Sequence, residues 1–131
     1  MKKILLLLLV IATLSSCTGS IQEKQLERVR DSSRIADLNL IKNALGIYYS
    51  DNNEYPININ DLIEFLPRIP QDPKHGETIK GKVFQYVYET VKNDSGIITE
   101  YRLSTYLESE RNSKRALEDQ GIYDDKFELF E

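Results

Sequence analysis

Between residues 34 and 50 the apolar side chains fall at Ile35, Leu38, Ile41, Leu45 and Tyr48, with Leu40, Ala44, Ile47 and Tyr49 widening the stripe. Intervals of three and four put them on one face of an α-helix, and a face that broad must be buried against something. Ser20-Ile21-Gln22-Glu23 has the form of a capping box, so the helix is expected to begin there and to run to Ser50. Thirty helical residues reach about 45 Å, more than the width of a domain of about 100 residues. The upstream half, IQEKQLERVRDSSR, offers only Ile21, Leu26 and Val29 among charges. It is expected to project as a solvated stalk, with Leu26 and Val29 the positions where a partner helix could lie. Gly46 inside the helix costs about 1 kcal/mol relative to alanine and is expected to admit close approach of a strand.

SDNNEYP ends the helix, because Ser, Asp and Asn favour turns and Pro56 forces Tyr55 into an extended conformation. Asp61 and Glu64 are placed to box a short helical turn carrying Leu62, Phe65 and Leu66, with Pro67 at its end. PRIPQDP then predicts a rigid, extended loop. KVFQYVYETV puts Phe84, Tyr86 and Tyr88 on one face and Val83, Gln85, Val87, Glu89 and Val91 on the other, the alternation of a strand. KNDSG is a turn, and IITEYRLSTYL alternates again, with Thr99, Tyr101, Leu103, Thr105 and Leu107 on one side. A helical turn around Ala116 and Leu117 and a last strand in KFELFE complete an α+β chain, a long helix packed on a small antiparallel sheet.

The sixteen residues MKKILLLLLVIATLSS stand apart: two lysines, then an apolar run from Ile4 to Leu14. Eleven helical residues span about 16 Å, too short for a hydrocarbon core of about 30 Å, so the segment reads as a cleaved signal peptide. Leu14-Ser15-Ser16-Cys17 resembles the lipobox of bacterial lipoproteins, which runs aliphatic, small, small, cysteine. The resemblance implies signal-peptidase recognition at Leu14, Ser15 and Ser16, cleavage before Cys17, and a diacylglyceryl group on its thiol with an acylated amine. Two or three acyl chains hold a protein stably where one does not. An ordinary signal peptide with a chance cysteine is the alternative. The domains expected are residues 1–16 as lipoprotein signal peptide, 17–33 as a lipid-anchored polar linker or helical stalk, and 34–131 as the globular domain.

Cys17 is the only cysteine, so no disulfide closes within the chain. Seventeen basic residues, less Lys2 and Lys3 removed with the leader, stand against 21 acidic ones, leaving the mature chain near −6. Acidic excess argues against nucleic acid as a partner and against electrostatic attraction to anionic lipid, so attachment is expected to rest on acyl chains.

RIADLNLIKNALGIYYSDNNEYP (34 to 56), IPQDP (69 to 73), YRLSTYLES (101 to 109) and the closing DDKFELFE together resemble the globular domain of bacterial type IV pilins and type II secretion pseudopilins. In that family the first stretch is the second half of the spine helix, the second a proline-aspartate loop before the sheet, and the third a core strand. The chain departs from the pattern where a pilin carries about twenty apolar residues that span the membrane and later form the filament core. Here SIQEKQLERVR is charged throughout, and burying its five ionised groups from Glu23 to Arg30 would cost far more than helix packing returns. Polymerisation in the family's manner is therefore not expected; lipid on Cys17 takes the place of the spanning half-helix.

His75 is the only histidine, in the loop PKHGE with no second imidazole or thiol to join it, so a zinc centre is not expected. No nucleophile elbow accompanies it. Some pseudopilins hold calcium before the final strand; Glu118, Asp119, Asp124 and Asp125 are the corresponding hard-oxygen candidates here, with solvated loop charges as the alternative. Tyr48, Tyr86, Tyr88 and Tyr101 are expected in the core, and Tyr55 and Tyr123 at the surface. The functional expectation is a non-enzymatic lipoprotein acting as an interaction or scaffold module of the bacterial cell envelope. It would sit on the periplasmic face of a membrane or at the cell surface, with no small-molecule substrate. Thr18, where the lipoprotein family places aspartate for inner-membrane retention, points to the outer membrane. An atypical minor pseudopilin working with secretion or pilus proteins, and a calcium-dependent envelope binder, are the alternatives.

Overall fold

A computed structural model of the chain describes the backbone from Lys2 and the side chains from Gly19 to Glu131. Leu14, Ser15, Ser16 and Cys17 lie outside the described side chains. The architecture is α+β: helix α1 (Lys2–Asn52), hairpin strands β1 (Thr78–Ile79) and β2 (Lys82–Val83), strands β3 (Val87–Lys92), β4 (Ile98–Thr105) and β5 (Phe127–Phe130), with short helices α2 (Glu110–Ser113) and α3 (Arg115–Glu118) before β5. Two antiparallel sheets result, β1-β2 and β3-β4-β5 with β4 central.

The backbone is already helical upstream of Ser20, so the expected capping box does not start the helix; Glu23 instead meets Arg30 Nη2 at 2.9 Å. At the other end Ser50 Oγ and Asn52 Nδ2 donate to the carbonyls of Gly46 and Tyr48, each at 2.9 Å, side-chain bonds back to the preceding turn. Asn53 then turns left-handed at φ 56° while its N–H reaches Tyr49 O at 2.8 Å, a stop that asparagine tolerates.

The following turn is a 3-10 helix, Ile59–Glu64, boxed by Asn58 and Asp61 and not by Asp61 and Glu64. It buries Leu62 as expected. The strand foreseen over 82 to 91 is divided. Its first residues pair back on β1 across Lys80 and Gly81, both at positive φ as a two-residue hairpin turn requires, and the rest pairs with β4. Phe84, Tyr86 and Tyr88 keep one side regardless: Phe84 is buried, Tyr86 Oη donates to Asp37 Oδ2 at 2.7 Å, and Tyr88 Oη donates to Pro56 O at 2.8 Å.

In β4, Tyr101, Leu103 and Thr105 point inward, as does Leu107 beyond its end, but Thr99 does not. Val91 pairs with Glu100 and Lys92 with Ile98, so Thr99 is the extra residue of a bulge and Ile98 takes the buried place.

Leu38, Ile41, Ala44 and Leu45 of α1 pack with Leu62, Leu66, Ile98, Tyr101, Leu103, Leu107 and Phe127 into one core. Tyr55, expected at the surface, is 7% exposed: Tyr49 and Tyr101 flank its ring with centroids 4.7 Å away on each side. Gly46 admits no strand; the space where its Cβ would stand is open. Among the described residues, burial on α1 begins at Asp31, three positions before the expected domain boundary. Among the described residues no helix is long and apolar enough to cross a membrane.

Candidate functional site

Where α1 enters the globular part, two arginines and three carboxylates from distant parts of the chain meet. Asp31 and Arg34 stand one helical turn apart on the buried face, with Arg34 Nη1 2.9 Å from Asp31 Oδ1. The proline-flanked loop delivers Asp72, which takes Arg34 in a two-pronged grip, Nε to Oδ2 at 2.7 Å and Nη2 to Oδ1 at 3.0 Å. Glu108, just past β4, receives Arg34 Nη1 at 2.7 Å and Arg30 through Nε at 2.8 Å and Nη2 at 2.6 Å.

Asp31 is the hub on the other side. Its Oδ1 also accepts the Glu108 N–H at 2.8 Å, and its Oδ2 accepts from Ser109 N at 2.9 Å, Ser109 Oγ at 2.6 Å and Asn112 Nδ2 at 3.3 Å. Asp72 Oδ1 holds its own loop through Lys74 N at 2.8 Å, and the ring of Phe84 lies 4.6 Å under the Arg34 guanidinium.

The side chains of Asp31, Arg34 and Asp72 are fully buried. Such ions survive burial only when well partnered, and here every guanidinium nitrogen and carboxylate oxygen of the three has a partner. Burial works against the Glu108 carboxylate, but the bonds and charges of Arg30 and Arg34 outweigh it and hold its pKa below the ordinary glutamate value. Arg34 is raised: desolvation opposes its charge, and Asp72 and Glu108 overcome that. The cluster therefore fastens the helix to two loops. The segment DSSR, expected as solvated stalk, instead buries Asp31 and Arg34, an i, i+3 pair whose partners Asp72 and Glu108 no local spacing reveals.

The four calcium candidates are not gathered into one site. Asp119 receives backbone N–H groups on both oxygens, Gly121 at 3.0 Å and Glu128 at 2.7 Å, which shapes the turn into β5. Asp125 stands 3.6 Å from Lys82 Nζ, and Glu118 and Asp124 are exposed. Glu128, buried beside them, accepts the Tyr123 N–H at 2.7 Å and lies 2.9 Å from Arg102, and Gly121 passes so close to its carboxylate that any Cβ would collide. Among the described residues one trio of acids does converge, Glu23, Glu27 and Glu108, with oxygens within 4.8 Å of one another. Arg30 already bridges two of its members. His75 is exposed beside a cavity of about 170 Å³ shared with Ile69, Gln71 and Tyr86. Tyr123 is half-buried, with Lys126 Nζ 4.3 Å from its ring centre.

The outward side of α1 carries a second apolar row. Leu26, Val29, Leu40 and Ile47 are 50%, 61%, 46% and 52% exposed. With Ser33, Ala36 and Asn43 between them they repeat at alternating intervals of three and four, the spacing of a helix that packs on another helix. No protein-family model, curated protein or solved structure matches the chain.

Proposed function

We propose that the chain is a bacterial envelope lipoprotein, anchored through diacylglyceryl-Cys17 after loss of residues 1 to 16, whose pilin-like domain is a non-enzymatic interaction or scaffold module. The observation that carries this reading is the sequence Leu14-Ser15-Ser16-Cys17 directly after an apolar run too short to span a bilayer. Supporting it, Gly19 to Leu26 are exposed and burial begins only at Asp31, as a stalk between a membrane and a domain requires. The long helix, the proline-aspartate loop and the antiparallel β3-β4-β5 sheet are compatible with a pilin-like domain.

The test is the mass of the N-terminal peptide from the membrane fraction of an expressing bacterium. A peptide starting at a diacylated or triacylated Cys17 is expected, and Cys17→Ala should leave the leader uncleaved. An unmodified cysteine would sink the anchor. The second reading, an atypical minor pseudopilin, draws on the outward row Leu26, Val29, Leu40 and Ile47, which offers a neighbouring helix a seam. Loss of secretion or piliation in a Leu40→Asp, Ile47→Asp variant that still folds would favour it.

A further inference from the structure

Against the membrane-proximal flank of the domain lies a pocket of about 320 Å³ whose walls carry Lys24 and Arg28 from α1 and Arg111 and Lys114 from the α2 segment. Asp31 positions the two halves, because it holds Ser109 at the start of α2. None of the four cations forms an ion pair among the described residues, whereas Arg30, Arg34, Lys42, Lys74, Lys82 and Arg102 all do. Glu27 and Glu110 share the walls, but Glu27 groups its carboxylate with Glu23 and Glu108. Four cations against those two acids leave the hollow with an excess of positive charge in a chain of net charge −4, which draws an anion.

Height along the helix says which anion. Lys24 stands seven residues beyond Cys17, about 10 Å along the axis, and Arg28 about 16 Å. The first is slightly more than the Debye length of about 8 Å at physiological salt and the second about twice it, so contact rests on the long Lys24 and Arg28 side chains, which tilt toward the N-terminal end of the helix and so toward the bilayer's phosphates. We propose that this pocket receives the phosphate of an anionic phospholipid headgroup in the membrane that carries the anchor, fixing the angle at which the domain stands. The proposal takes its geometry from the Cys17 anchor proposed above. In this arrangement the pocket orients the domain and the acyl chains retain it.

The full chain is placed in nanodiscs of phosphatidylcholine alone or with added phosphatidylglycerol, and amide exchange is followed at Glu110–Ser113. Exchange should slow about fivefold or more in the anionic discs, the preference one surface cation confers, and the effect should vanish at high salt. Arg111→Glu with Lys114→Glu should abolish it without changing the melting temperature, and Lys80→Glu with Lys92→Glu should not. Equal exchange in both discs, or an equal loss in the Lys80 and Lys92 control, overturns the proposal. Inorganic phosphate giving the same protection in neutral discs overturns the headgroup as its source. The mass of Cys17 in the same sample separates the two readings: a lipidated cysteine with equal exchange removes the pocket alone, and an unmodified one with anionic protection intact removes the anchor alone.

Discussion

Arg34 is the side chain on which the junction between helix and loops depends, because Asp31, Asp72 and Glu108 all turn toward it. Arg34→Ala leaves buried carboxylates without a counter-charge and should cost about 3–5 kcal/mol in urea denaturation. Arg34→Lys should recover little of this, since an ammonium cannot supply the paired grip on Asp72. Glu108 makes stability depend on acid. Its folded pKa lies below the ordinary value of about 4.5, so its contribution is complete above that value and fades as pH falls through the folded one. Glu108→Gln should therefore lower stability at neutral pH and flatten its fall between neutrality and strong acid; a slope equal to the parent's would count against the assignment. Little of this cluster was legible in the sequence. Charges at Asp31 and Arg34 look the same whether they face water or each other, and only the fold brings residue 72 to residue 34.

At the scale of elements, the helix and the two long strands follow from periodicity, because burial on one face imposes period 3.6 or 2 wherever it acts. What escaped was set by pairing partners. The strand over 82 to 91 breaks because its ends pair with different neighbours, and Thr99 is displaced by a bulge on which alternation is silent. Tyr55 shows the same limit: a loop by sequence, it is buried because the chain returns across α1 and Tyr101. Gly46, exposed within α1 with nothing near its Cβ position, carries the backbone entropy of glycine without a packing reason. Gly46→Ala should raise stability by about 0.5–1 kcal/mol in thermal unfolding, and a loss would reveal a contact absent from the fold described above. Leu38→Ala, at the centre of the buried stripe, should cost about 2–5 kcal/mol.

For the whole molecule, residues 20–26 of α1 are expected to contribute little to the stability of the folded unit. Deleting residues 20–26 removes two turns and keeps the phase of the helix, and it should leave the melting temperature of the domain unchanged within a degree or so, because these residues are exposed. A clear fall would mean that the stalk packs on something. The junction at Asp31 has a mechanical consequence. A pull transmitted along α1 from its N-terminal end reaches the bonds of Asp31 and Arg34 before it reaches Leu38 and Ile41, so load falls first on short, directional contacts. Such contacts give way within a fraction of an ångström of extension, unlike an apolar core that can slide and re-pack. The junction is therefore stiff under tension and yields abruptly, a sharp breaking point between helix and domain.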